Sequence, residues 1–300
     1  MLKKLLKRVI PPSALKRFSP LWENYKNDRF KKQKTGYFEF HGIRLGLPDR
    51  HPLPGLVAAQ PYRDLCIGIV AKFISAKYPG KAIIDIGANV GDTAAILAAH
   101  SRNPLVLIEG SDFFFDYLSE NAKRLPNPSV VRKVLISDGS PISGELQHWG
   151  GTAEFKESAT GPRLETVRLS DVTPDEVCFV KSDTDGHDFK ILGASMDWLA
   201  SQKPVVLFES QIRNAEDLTA ADALMESLHG AGYKHFIIWD AAGYHLLSTS
   251  ELSAVAGLHR YLMKVVTAGV AGNVSNLDVA CFHERDLDVF EQTTEWYRSY

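Results

Sequence analysis

The chain has 300 residues, 45% of them apolar and 23% charged, enough to bury a substantial core in one large domain or two small ones. These values exclude a disordered, collagenous or disulfide-stapled chain, and no run of about 18 apolar residues marks a transmembrane helix. The net charge of −2 conceals a split: residues 1–34 hold eleven Lys or Arg against Glu23 and Asp28, net +9, whereas the remainder holds 23 basic against 34 acidic groups, net −11. Cys66, Cys178 and Cys281 are odd in number, form no CxxC and sit among apolar neighbours. They read as buried free thiols of a reducing, cytoplasmic compartment rather than as zinc ligands.

The N-terminal MLKKLLKR is followed by no apolar run before Pro11-Pro12, so it is not read as a secretory signal. Leu2, Leu5, Leu6, Val9 and Ile10 line one face of a helix, with Lys3, Lys4, Lys7 and Arg8 opposite. That pattern fits either a solvated or docked helix or a peripheral contact with the anionic inner face of a membrane. Residues 37–47 predict a β-hairpin turning at His41-Gly42, and Pro48, Pro52 and Pro54 predict a loop. Residues 62–78 carry a helical pattern. Strands and helices then alternate: strand 82–85, helix 92–101, strand 105–109, helix 112–124 and strand 130–137. A Gly-rich stretch at 139–163 holds further extended candidates. Strand 177–183, helix 186–200, strand 205–210, helix 215–230 and strands 235–240 and 277–283 complete the series. Apolar strands alternating with helices mean a mostly parallel sheet covered on both faces. The predicted units are a basic arm at 1–34, a hairpin and linker at 35–60, and one α/β domain at 61–300.

The strand AIID runs into DIGANVG and then a helix. Ligands in such sheets lie at the carboxyl ends of the strands. Gly87, Asn89 and Gly91 do not fit GxGxxG, and no GK[ST] follows, so neither a dinucleotide fingerprint nor a P-loop is present. Asp92 at the helix start disfavours a pyrophosphate, and Asp85 before the turn favours a cationic ligand. S-adenosylmethionine has an ammonium, a sulfonium and no phosphate. Glu109 ends the next strand, where a carboxylate can accept both ribose hydroxyls.

DIGANVG, Glu109 and KSDTDGHDFKILGA at 181–194 together resemble the FkbM-type S-adenosylmethionine-dependent methyltransferases. Lys181, Asp183, Gly186, Leu192, Gly193 and Ala194 match the family's second motif, and the resemblance continues through ISDG, LSDV, VVLFES and LDVACFH. It spans roughly residues 60–285. Thr184-Asp185 and His187-Asp188 depart from the usual Val-Glu and Ala-Glu, at the place where the acceptor binds. The resemblance implies a Rossmann-like seven-stranded sheet, mostly parallel with an antiparallel last strand. It also implies that Asp85, Gly87, Asn89 and Gly91 cradle the methionine part, that Glu109 holds the ribose, and that Asp138 lies near the adenine.

Asp183, Asp185, His187 and Asp188 gather where the 177–183 strand ends. Methyl transfer to a hydroxyl needs alignment and removal of a proton. The catalytic candidates are therefore Asp183 and His187, with Lys181 beside them. The competing reading makes Asp183 a turn-former and His187 and Asp188 helix caps. His148, Trp149, Asp185 and Glu209 are acceptor-contact candidates, since an aromatic on a loop is a common sugar platform. DTDG fails as an EF-hand loop, because Lys181 and Leu192 fall at ligand positions. Asp183, Asp185 and Glu209 allow a magnesium ion, but none is expected. His229 and His259 are read as surface residues, and Trp239 and Phe236 as core.

The expected activity is O-methylation of a sugar hydroxyl in a glycan, glycolipid or secondary metabolite, the sugar resting on resemblance alone. The alternatives are a methyltransferase of another small molecule or of nucleic acid, a nicotinamide oxidoreductase, and a non-catalytic binding module. The net −11 body argues against a nucleic-acid partner.

Overall fold

The computed structural model describes residues 34–269 and 274–299. The helix and membrane docking predicted for the basic arm lie outside the described residues. The predicted hairpin is β1 (Thr35–Phe40) and β2 (Ile43–Pro48). After it the prolines do not make an open loop. Pro52 precedes a short helix, α1 (Leu53–Ala59), and Pro54 sits in its first turn, where a proline's fixed φ and missing N–H are tolerated. Helix α2 (Leu65–Lys77), β3 (Ala82–Ile86), α3 (Asp92–His100), β4 (Leu105–Ile108) and α4 (Asp112–Ala122) follow the sequence pattern.

The strand predicted at 130–137 is cut into β5 (Ser129–Arg132) and β6 (Leu135–Ile136). Only β5 joins the main sheet; β6 leaves it to pair elsewhere. The Gly-rich segment folds as an antiparallel hairpin, β7 (Ile142–Trp149) and β8 (Thr152–Glu157), with two short strands after it, β9 (Arg163–Leu164) and β10 (Thr166–Val167). Next comes β11 (Val177–Ser182). The helix predicted over 186–200 breaks into α5 (Asp188–Ala194) and α6 (Met196–Gln202), and the hydroxyl of Ser195 at the break donates to the Ile191 carbonyl. β12 (Val205–Ser210) leads to α7 (Ala215–Gly230), capped by Asn214 accepting from the Asp217 amide, and then to β13 (Tyr233–Asp240). The structure adds β14 (His245–Thr249) and α8 (Leu252–Ala268) before β15 (Leu277–His283), and closes with α9 (Leu287–Ser299).

The main sheet has the order β14-β13-β15-β12-β11-β3-β4-β5. Seven of its strands follow the expected mostly parallel arrangement, with the last strand, β15, antiparallel between β12 and β13. β14 is an eighth strand, hairpinned to β13. Alternate residues serve two cores. Ile84, Val180, Val206 and Val279 pack with Leu192, Leu224 and Leu262 on one face. Ile83, Phe179, Leu207 and Ala280 pack with Val70, Leu97 and Val289 on the other. Trp239 and Phe236 are fully buried core residues.

The β1–β2 hairpin and α1 pack through Leu45, Leu47 and Leu53 against Val90, Ile96 and Phe114. Asn121 fastens this contact: it accepts the Gly46 amide at 2.7 Å and donates to the Gly46 and Val90 carbonyls at 2.9 and 2.7 Å. The hairpin is thereby tied to the chain that forms the Gly-rich turn. The three cysteines are buried and free, and burial pushes the Cys178 thiol up to about 12, so they are inert packing residues.

His259 is fully buried, contrary to the surface reading. Its Nε2 lies 2.9 Å from Ser210 Oγ and its Nδ1 3.8 Å from Asp222 Oδ1. The burial of both Ser210 and His259 makes this a brace between β12, α7 and α8 rather than a nucleophile.

Candidate active site

From β3 the chain runs on through β4 and β5 to one side; from β11 it runs on to the other. The crevice between the carboxyl ends of β3 and β11 is the switch point at which such sheets bind ligands. A cleft of about 360 Å³ opens there, within the range of roughly 300–1,000 Å³ typical of small-ligand sites.

Gly87 and Asn89 form its floor. Gly87 has φ +77°, and a Cβ added to it would stand 1.9 Å from the Asp183 carbonyl oxygen, so the β3 and β11 turns touch through backbone alone. The Gly87 and Ala88 amides donate to the Ile108 carbonyl at 3.0 and 2.9 Å. Glu109 completes this corner, accepting the Asn89 amide at 2.9 Å and the Ser111 amide at 2.7 Å. Burial nevertheless pushes its carboxyl up to about 7, against the pull of those two amides. Ile108, Leu135, Ile136 and Leu146 line an apolar slot beside it.

Asp85 does not face the cleft. It is fully buried behind the turn, with Oδ1 3.0 Å from Lys181 Nζ. The two residues are register partners on β3 and β11 and share the apolar face under α2, which is why they must pair. Lys181 also reaches the Gly87 carbonyl at 3.4 Å and Asp183 Oδ2 at 3.8 Å, and the surrounding carboxylates hold it firmly protonated. It lines the cleft as a fixed cation that braces the turn, and it cannot serve as a base. Gly91 is likewise not in the wall: it starts α3 and packs toward Leu118.

Asp183, Asp185, His187 and Glu209 come together on the opposite wall. Asp183 is about half exposed. Asp185, in the left-handed region at φ 53°, accepts from the Thr152 hydroxyl, and burial raises its carboxyl. His187 Nε2 lies 3.0 Å from the Phe155 carbonyl, so Nε2 carries the proton and Nδ1 is left as a lone pair. Burial lowers its pKa, which keeps the ring neutral. Asp188 is not at the ligand edge. It is buried, accepts from Ser182 Oγ at 2.6 Å and Thr184 Oγ1 at 3.0 Å, and orders the turn.

Three further sequence-predicted residues fall outside the wall. Asp138 is exposed and accepts the Ser140 amide in a local turn, leaving Ser137 to face the cleft. His148 Nε2 lies 2.7 Å from Ser111 Oγ and packs against Phe113 and Phe114, anchoring the β7–β8 hairpin to α4. Trp149 is 61% exposed at the hairpin tip. The tip itself roofs the cleft. The Gly151 carbonyl takes the Asn89 side-chain amide at 2.9 Å and lies 3.2 Å from His51 Nε2, and a Cβ on Gly151 would meet Pro52 at 2.3 Å.

Sequence reasoning missed the wall built by residues 51–64. His51, Leu53 and Leu56 come from the supposed linker, and Arg63 and Asp64 from the start of α2. Arg63 donates to Gln60 Oε1 at 3.2 Å and the Ala241 carbonyl at 3.3 Å, and lies 3.6 Å from Asp64. Burial pushes Asp64 up to about 6. The one available signal was the adjacent Arg-Asp pair opening an otherwise apolar helix.

This strand order and crevice define the Rossmann-like methyltransferase class of α/β fold. A model of the methyltransferase FkbM domain matches residues 85–235, half of the chain, and the chain belongs to that family. No curated protein matches in sequence. Among solved structures, the methyltransferase FkbM from Methylobacillus flagellatus KT is 12% identical over 68% of this chain, with a TM-score of 0.43, and the match spans only 44% of that protein. The METTL16 methyltransferase domain is 11% identical over 81% of this chain and 74% of its own, with a TM-score of 0.44. The plantazolicin methyltransferase BpumL, solved in complex with SAH, is 7% identical over 77% of this chain and 88% of its own, with a TM-score of 0.42. Among the described residues no helix is long and apolar enough to cross a membrane.

Proposed function

We propose that the protein is an S-adenosylmethionine-dependent O-methyltransferase whose acceptor is a hydroxyl, in a sugar of a glycan, glycolipid or secondary metabolite. The observation that carries this reading is the split of one cleft into two chemically different walls. One wall is a glycine floor with a buried diol-accepting carboxylate; the other holds an exposed carboxylate and a neutral imidazole. The first wall fits the cofactor: Gly87 presents bare backbone to the cleft, and Asn89 Oδ1 is buried without a partner among the described residues. When bound, S-adenosylmethionine supplies a methyl group on a sulfonium, already activated for displacement.

The residues of this chain then have limited work. Glu109 accepts the ribose hydroxyls, and the apolar slot of Ile108, Leu135 and Ile136 takes the adenine. Asp183 or His187 Nδ1 accepts the proton that the acceptor hydroxyl must lose, while the Asp185–Thr152 bond holds the roof over the reacting atoms. Lys181 keeps the floor and the base wall at a fixed spacing through Asp85 and Asp183.

Labelled S-adenosylmethionine incubated with fractionated cell glycans tests the reading, with label entering a glycan fraction as the expected result. Label entering only nucleic acid or protein would refute the sugar assignment. In that assay Asp183→Asn should lower turnover at least about 100-fold, the lower end of what a positioned base contributes, with cofactor affinity changed less than about threefold. The reverse pattern would make Asp183 a cofactor residue.

Cofactor binding should also depend on pH. An ionised Glu109 offers acceptors to two ribose hydroxyls, whereas its protonated form has lost one of them. With the free carboxyl at about 7, binding below that pH must first expel a proton. Affinity should therefore fall by up to about tenfold per pH unit below 7 and level off above it. Calorimetry of wild type and Glu109→Gln checks this. The variant should bind more weakly and without the step at 7; a step that survives in Glu109→Gln belongs to another group, such as Asp64.

A further inference from the structure

Beyond the base wall, the register of the sheet builds a row of carboxylates. Glu209 on β12 stands directly opposite Asp278 on β15. Ser182 on β11 pairs with Phe208 on β12, so Asp183 follows beside Glu209. Residues level with one another on adjacent strands share a face and lie about 5 Å apart. Asp183, Glu209 and Asp278 thus project from three neighbouring strands to the same side. Lys181 and Arg63 lie close enough to pull the Asp278 carboxyl down, but two cations already paired with Asp85 and Asp64 do not balance the row. Lys181 is 3.0 Å from Asp85 and only 3.8 Å from Asp183, and Arg63 is held by Asp64, Gln60 and the Ala241 carbonyl.

Glu209 gives the independent sign of a ligand. Its Oε1 accepts from the Asn276 side-chain amide at 2.5 Å, which fixes the carboxylate in place. Its Oε2 is buried in the cleft wall and has no hydrogen-bond partner among the described residues. A fixed, buried, unpartnered carboxylate oxygen beside two more carboxylates is costly unless a donor arrives from outside. Burial, helped in both cases by repulsion from Asp183, pushes Glu209 and Asp278 well above the ordinary carboxylate range. A metal ion is not the fitting donor, because among the described residues no three such groups converge as metal ligands. A protonated amine fits: it needs no fixed coordination number and brings three donors to a row of acceptors.

We infer that the acceptor carries a protonated amino group beside the hydroxyl that is methylated, as an amino sugar does, and that Glu209 and Asp278 bind this ammonium. This deepens the proposed function and rests on it for the hydroxyl, though not for the ammonium site. The charged amine has no lone pair, so it is recognised and not methylated, and the methyl passes to the neighbouring oxygen next to Asp183.

The test is equilibrium binding of glucosamine, N-acetylglucosamine and glucose, followed by NMR on the full chain, both free and saturated with S-adenosylhomocysteine. Charge-assisted hydrogen bonds to a buried carboxylate predict that glucosamine binds at least about tenfold more tightly than either neutral sugar. Glu209→Gln and, separately, Asp278→Asn should erase most of that preference. An unchanged S-adenosylhomocysteine isotherm in both variants shows that the cleft is still folded. Equal binding of the three sugars, no binding of glucosamine, or a preference that survives both substitutions would overturn the inference. Failure of S-adenosylhomocysteine to bind would instead strike the methyltransferase reading, while the sugar comparison on the free protein still decides the ammonium site.

Discussion

Gly87→Ala should abolish cofactor binding, with a loss of at least about 100-fold, and should destabilise the protein by about 2–5 kcal/mol. Two costs add. An alanine in the left-handed region costs about 1–2 kcal/mol, and the backbone displacement adds about 1–3 kcal/mol, as overpacking does. The displacement cannot be avoided, because the new methyl would lie 1.9 Å from the Asp183 carbonyl oxygen and 2.9 Å from its carbon. No rotamer relieves a clash with backbone. Relief requires parting the β3 and β11 turns, which the Asp183 amide ties together by donating to the Ile86 carbonyl at 3.0 Å. That parting moves the floor and the base wall at once. Gly91→Ala is the informative control. Its φ of +88° carries the same strain, but the nearest atom is the end of the Leu118 side chain at 3.2 Å, which can yield. It should lose stability with less than about tenfold loss of affinity, the span of about 1.4 kcal/mol. Thermal unfolding and calorimetry on the pair separate backbone collision from strain, and equal effects at both positions would contradict the contact between the turns.

Lys181→Met should be the most destabilising single change in the site, by about 3–5 kcal/mol, because it strands the fully buried Asp85 carboxylate. Asp85→Ala should cost a similar amount by stranding the lysine, so its effect on the cofactor arrives through loss of the floor and not through loss of a ligand contact. The double variant Lys181→Met, Asp85→Leu should recover most of the stability, since an apolar pair of similar volume needs no solvation. The pH dependence has a definite sign. Without its lysine, Asp85 has a folded-state pKa far above its unfolded value. The stability it allows is then present at acidic pH and lost as pH rises. The deficit of Lys181→Met should therefore shrink on acidification, read as a smaller difference in denaturant midpoint from wild type. A deficit independent of pH, or a double variant no more stable than the single one, would show that the pair does not brace the turn.

How much of this was legible in the chain depends on how far apart the partners lie. The turn at 85–91 and Glu109 could be found in the sequence because each sits where an apolar strand stops, and period and glycine placement mark that point locally. Asp183 and His187 could be found for the same reason. The roles of Asp85 and Lys181 could not, since their pairing depends on β3 and β11 being neighbours across 96 positions of sequence. His148 and Trp149 were read as lying on a long loop, whereas they end strand β7 of a hairpin whose register turns one toward α4 and the other outward. Arg63, Asp64 and His51 were missed because a loop's contribution to a cleft is set by where its ends are tied. Here the ties are Asn121 for the β1–β2 hairpin and the Ala241 carbonyl for Arg63.

The sequence by itself determined the alternating α/β order, the glycine-rich turn with the acid that ends the next strand, and the acidity of the body behind a basic arm. These are properties of consecutive residues, and periodicity and composition express them directly. Tertiary structure alone decided where that acidity is concentrated. Strand order and register bring Asp183, Glu209 and Asp278 level on three adjacent strands, and they bury Asp85 against Lys181. Coulomb energy depends on separation in space and on local dielectric. Charges scattered through the chain therefore acquire their function only when the sheet sets their distances.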